Sequence, residues 1–178
     1  MQALLRLISS LSHGWVIALP FLAWGLVFGT ILLTMSQLSA ASGGYGILDF
    51  DFGYSAARVA EVFGSYGPEG MTLYARIQLL DLFNPAAYAL CAALLTYRLW
   101  APRGRPALSL FPLLAALGDY AENLTLFLLA KGYPALPEWL VSLSSSLGLL
   151  KIGLMVVGLA PLVLGAALWL IDRLRPAV

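Results

Sequence analysis

The chain has 178 residues, 61% of them hydrophobic and 11% charged, with a formal net charge of +1 and a mean hydropathy of +0.87. A soluble domain carries about a quarter charged residues, so this composition excludes one, and with no basic stripe there is no ground for nucleic-acid binding. One cysteine, Cys91, and one histidine, His13, exclude an intrachain disulfide, a C-x-x-C redox pair and a bis-histidine haem within one chain; no metal and no cofactor is expected.

A spanning helix needs about 20 apolar residues, and four runs have that length: about 15–36, 77–99, 108–130 and 143–171. Little chain remains for anything else. The expected fold is all-α, a polytopic membrane four-helix bundle that forms one domain over residues 1–178. The first run has Arg6 before it and L-S-A-A-S-G behind it, as a signal peptide would. Its apolar core exceeds the 7–15 residues of a signal h-region, so a retained helix is favoured.

Between the first two runs lies a loop, 39–74. It opens with the turn-forming A-S-G-G-Y-G and continues as I-L-D-F-D-F-G-Y, whose alternation over 47–52 predicts a short strand or extended edge. From Ser55 to Phe63 the pattern becomes helical, with Ser55 as cap and Ala56, Val59, Ala60 and Phe63 on one face. The run G-S-Y-G-P-E-G is expected to end that helix. A structured loop of about 35 residues is more often functional than filler. Two readings stay open, a lid over a site or an interfacial helix resting on lipid headgroups.

Basic residues set the orientation. The loop from Arg98 to Pro106 holds Arg98, Arg103 and Arg105 without an acid, Arg6 precedes the first span, and Arg173 and Arg175 follow the last. Lysine and arginine concentrate in short cytoplasmic segments. Both termini are therefore expected in the cytoplasm and the 39–74 loop outside an inner membrane. Trp15, Trp100, Trp139 and Trp169 fall near the boundaries, as an aromatic belt requires; Trp24 lies too deep for that role.

The unusual residues are the ionisable ones inside the spans. Asp119 and Glu122 sit mid-span in G-D-Y-A-E-N, where a charge costs about 2.5–3.5 kcal/mol on insertion scales. With Asn123 they share one helical face. Asp81 and Asn84 fall in the outer part of span two, and Lys151 in the outer half of span four, on a stripe with Ser144, Gly148, Met155 and Gly158. Arg76 lies at the mouth of span two. All converge at one depth, below the structured loop. Counting Asp81, Asp119 and Glu122 against Lys151 and Arg76 leaves one negative charge. One of Asp119 and Glu122 is thus expected to hold a proton near neutral pH while Lys151 pairs with the other.

The site so defined has Asp119, Glu122 and Lys151 as proton-handling, catalytic groups. Asp81, Asn84, Asn123, Arg76 and Tyr120 are its ligand-binding residues. The plain alternative is that these groups glue helices and the glycines allow close packing, with Asn84 satisfying a carbonyl freed by Pro85 and Tyr88 serving as packing or belt. A Ser-His-Asp hydrolase is excluded because no histidine lies in the membrane.

The order G-Y-S, F-G-x-x-G, Y-A-R, L-D-L-F-N-P-A-A-Y, D-Y-A-E-N and a late S-x-x-x-x-K (Ser146–Lys151) resembles a group of small, uncharacterised bacterial four-helix membrane proteins over nearly the whole chain. That resemblance implies the fold and carries no activity with it. In length, span number, first outer loop and an acid shortly before a proline in span two (Asp81, Pro85), the chain is also similar to the sterol-isomerase and sigma-2-receptor superfamily. There, membrane-embedded acids bind amine or sterol ligands and, in the isomerases, move a proton. The departures are an acid-free span one and the acids of span three, which have no counterpart.

The function expected is binding or proton-transfer processing of a small amphipathic or lipid-like ligand, with a cationic headgroup suited to the surplus negative charge. The partners expected are membrane lipids, an amphipathic small molecule, and further copies or a larger membrane complex. The rival readings are an accessory subunit of such a complex and a small oligomeric proton-coupled transporter.

Overall fold

Long apolar stretches without strand alternation fold here as helices, and the computed structural model forms no strand among the described residues, 2–174. In chain order these are α1 (Gln2–Leu11), α2 (Ala18–Ala41), α3 (Ala56–Asp81), α4 (Asn84–Trp100), α5 (Pro112–Gly132) and α6 (Glu138–Leu174), with single 3-10 turns at Leu48–Phe50, Ala101–Arg103 and Pro106–Leu110. Four helical stretches, 18–41, 56–103, 106–132 and 138–174, are long and apolar enough to cross a membrane. Arg175, counted above with the basic tail, lies outside the described residues.

The segment between α2 and α3 differs from its predicted form. The alternation at 47–52 makes a 3-10 turn, Leu48–Phe50, instead of a strand, because Leu48 turns fully into the core. Ser55 does cap α3, accepting from the Arg58 amide at 3.3 Å. The helix does not end at G-S-Y-G-P-E-G. It kinks at Gly67, whose φ of 56° and ψ of −171° suit a residue without a Cβ. It resumes at once with Pro68, whose missing N–H costs nothing at the start of a helix.

Val59, Val62, Phe63 and Tyr66 then pack with Leu126 and Leu129 of α5 and Leu140 and Val141 of α6. Tyr66 donates to the Gly46 carbonyl at 2.6 Å, and Arg58 bridges Asp51 and Glu61 at 2.7 and 3.1 Å. Through its apolar residues the segment packs against α5 and α6.

Span two is not one helix over 77–99. α3 stops at Asp81 and α4 starts at Asn84, with Pro85 in its first turn, where it breaks no helical bond. α4 lies at the centre, in contact with α1, α2, α5 and α6. α5 and α6 run together, brought close by Gly118, where a Cβ would stand 3.0 Å from the Lys151 Cα, and by Gly158, where one would stand 2.9 Å from the Phe111 carbonyl oxygen.

The flank before the first span is itself a helix, α1. Its Ile8 packs on Ala93 and Leu94 of α4. Arg98 closes its end, donating to the Ser12 and Gly14 carbonyls at 2.6 and 3.2 Å. Trp100 leaves the predicted belt: it is buried and donates to the Pro161 carbonyl at 2.7 Å. Trp15, Trp139 and Trp169 are exposed.

Candidate functional site

The break between α3 and α4 creates the site. On α3, Tyr74, Ile77 and Gln78 face inward, and the helical period carries Asp81 to the same side. α4 restarts with Asn84, whose amide donates to Asp81 Oδ1 at 2.9 Å; Asn123 of α5 donates to Asp81 Oδ2 at 2.6 Å. α2 reaches in with Trp24, whose indole N–H donates to Asn84 Oδ1 at 3.2 Å, which explains a tryptophan at that depth. Tyr120 donates to the Leu82 carbonyl at the break, 2.9 Å away. Both asparagines thus serve the Asp81 carboxylate; Asn84 does not patch a carbonyl freed by Pro85.

Deeper between α4, α5 and α6, Lys151 forms an ion pair with Glu122 and lies 3.5 Å from Asp119 Oδ1. Tyr88 donates to Asp119 Oδ2 at 3.1 Å, so it is a member of the cluster and not a belt residue. Glu122 is 1% exposed, Asp119 and Lys151 8% each. Gly148 of α6 makes the niche for the acid: a Cβ there would stand 2.5 Å from Glu122 Oε1.

Above Glu122 runs a string of hydroxyls. Tyr54, between α2 and α3, is 2.7 Å from Ser144 Oγ, Ser144 is 2.8 Å from Thr125 Oγ1, and Thr125 donates to the Glu122 carbonyl at 2.7 Å.

Arg76 is not part of this assembly. Two residues beyond Tyr74, it lies on the opposite side of α3, exposed and outside the cluster. A further carboxyl, one that sequence reasoning missed, is coupled electrostatically to the cluster. Asp49, in the 3-10 turn between α2 and α3, is half-buried as a residue, but its Oδ2 is shut off from solvent without a hydrogen-bond partner. Burial is the main force pushing its carboxyl up to about 7; Lys151 pulls it down, and Glu122, Asp81 and Asp119 push it up.

The folded state therefore binds a proton that the unfolded chain releases near 3.8. Its contribution to stability is present at low pH and is lost as pH rises through about 7. Asp49→Asn should melt with the wild type at about pH 4 and above it at about pH 8, read as melting temperature in detergent. A gap of equal size at both pH values would rule out a buried, titrating Asp49.

Beside the cluster, between α3 and α5, lies a lateral cleft of about 700 Å3. Its walls include Tyr74, Gln78, Leu79, Leu82, Leu124 and Phe127, with Tyr120 and Asn123 on the α5 side and Lys131 at one end. Asn123 joins the two features: one edge of its amide holds Asp81, and its Oδ1 has no partner. Asp119, Glu122 and Lys151 do not line the cleft. No family model matches the chain, and neither a curated protein nor a solved structure matches it.

Proposed function

We propose that this is a multi-pass inner-membrane protein, with both termini cytoplasmic, that binds one lipid-like amphiphile in the α3/α5 cleft and holds a polar group of that ligand against Asn123. The observation that carries this reading is a sizeable apolar cleft with Asn123 in its wall, a residue whose buried Oδ1 has no hydrogen-bond donor. The volume falls in the range of small-molecule sites, about 300–1,000 Å3, which are apolar with a few placed polar groups. Apolar exposure along α2 and α6, including Leu22, Leu26, Leu33, Val156 and Val163, suits a lipid surround.

In this reading Asp81 is the acid nearest the ligand, one side chain behind Asn123. The Lys151, Glu122, Asp119 and Tyr88 cluster stands behind it as a reservoir of charge and protons. With Arg76 outside and Asp49 inside, four carboxyls share one ammonium. Binding is favoured over turnover, because Asp119 and Glu122 are tied to Lys151 and Tyr88, away from the cleft. The same pairing speaks against acids that wait for a partner subunit.

Mass spectrometry of lipids retained by the detergent-purified protein tests the reading. Leu124→Trp, which fills the cleft from an exposed wall position, should cut the retained species about tenfold, the effect of removing roughly 1.4 kcal/mol of binding. Val163→Trp, on an exposed face of α6, should leave retention unchanged. Equal retention in the two variants would count against the cleft as the binding site.

A further inference from the structure

The chemistry of the cleft narrows its occupant, on the premise that it is a lipid-binding site. Its α5 wall is built from Tyr120, Asn123, Leu124, Phe127, Ala130 and Lys131, spaced to share one helical face. Among these and the α3 residues opposite, Lys131 is the charged group, and no carboxylate lines the cleft. Lys131 is exposed and forms no ion pair among the described residues.

Eight residues away, Asn123 is 6% exposed. Its Nδ2 donates to Asp81 Oδ2 at 2.6 Å, and Asn84 donates to Oδ1, so both carboxyl oxygens act as acceptors. That fixes the amide the other way round at its far edge, where Oδ1 is an acceptor without a donor. No neighbouring polar group supplies one in the structure. Tyr120 donates its proton to the Leu82 carbonyl, and Gln78 donates to the Tyr74 hydroxyl at 2.9 Å. A buried acceptor left unmet costs about 1–3 kcal/mol.

At about 1.5 Å of rise per residue, the Lys131 and Asn123 levels are about 12 Å apart along α5. We propose that the cleft binds an anionic membrane amphiphile, its carboxylate or phosphate against Lys131, with a hydroxyl or amide N–H partway down the chain donating to Asn123 Oδ1. A cationic headgroup, which the charge count of the spans favours, would meet Lys131 at the cleft's own end. The acids that make up that count lie behind Asn123.

Four probes of equal chain length test this on the full-length protein in nanodiscs, by native mass spectrometry: octadecanoate, octadecanol, a mid-chain hydroxy-octadecanoate, and the methyl ether of that hydroxy acid, which keeps the oxygen but loses the proton. The hydroxy acid should bind about three- to tenfold tighter than octadecanoate and than its ether. Octadecanoate should bind about threefold tighter than octadecanol. Lys131→Gln, at an exposed position, should level the acid and the alcohol and leave the preference for hydroxyl over ether.

An ether that binds as tightly as the hydroxy acid, or an alcohol that binds as tightly as the acid, overturns the proposal. If that happens while Leu124→Trp still weakens binding about tenfold, the cleft survives as a lipid site of another class. If no probe binds, or if Leu124→Trp changes nothing, the cleft reading falls with it.

Discussion

Lys151→Met is expected to cost the protein most of its folded yield. The ammonium stands between Glu122, 1% exposed, and Asp119, 8% exposed, and it is the cation of this cluster. Methionine keeps much of the length and removes the charge, so Glu122 keeps a buried carboxylate with nothing to balance it. Breaking a buried pair from one side costs about 3–5 kcal/mol, a large share of the 5–15 kcal/mol that holds a typical domain together.

Replacing both ends with apolar groups is a different operation, often neutral or stabilising. Lys151→Met with Glu122→Leu should therefore recover monodisperse protein that the single variant loses. The readout is size-exclusion yield and melting temperature in detergent. A Lys151→Met protein as stable as the wild type would mean that the cluster draws its countercharge from elsewhere, as an accessory subunit would from its partner.

Part of this site is legible in the sequence because helical period is a strong signal. Asp119, Glu122 and Asn123 at i, i+3 and i+4 turn to one side, and Lys151 follows Ser144 and Gly148 on a stripe of α6 that is buried. The same period applied to α3 separates Arg76 from Asp81: Tyr74, Ile77, Gln78 and Asp81 share a side, and Arg76 falls opposite. Charge counting drew Arg76 in; phase excludes it.

Asp49 is hidden for the opposite reason. Alternating apolar and acidic residues fit an edge strand with its acids in water, and nothing local shows that Leu48 will anchor a 3-10 turn with the carboxyl beneath it. That outcome depends on the roof made by Val59, Val62 and Phe63 over α5 and α6, which is tertiary information. The break at Leu82 and Phe83 is intermediate. N-P marks a helix start, but an unbroken apolar run conceals it.

Gly148→Ala should destabilise, and Gly153→Ala, five residues on in the same helix, should not. A glycine inside a helix is worse than alanine by about 0.8–1.0 kcal/mol, so in open space the substitution stabilises. Gly153 is such a case, with nothing within 4 Å of an added Cβ. At Gly148 the Cβ would lie 2.5 Å from Glu122 Oε1 and 3.3 Å from its Cδ.

The carboxylate cannot step aside freely, because its other oxygen is paired with Lys151 and its own helix is fixed to α6 at Gly118 and Gly158. Overpacking of this kind costs about 1–3 kcal/mol, and the displaced ion pair adds to it. The two alanines should thus move the melting temperature in opposite directions. Shifts of the same sign would show that Gly148 only lets two helices approach, as small residues do throughout membrane bundles. Opposite shifts would make it the recess that keeps Glu122 against Lys151, and would tie the stripe on α6 to the charge it surrounds.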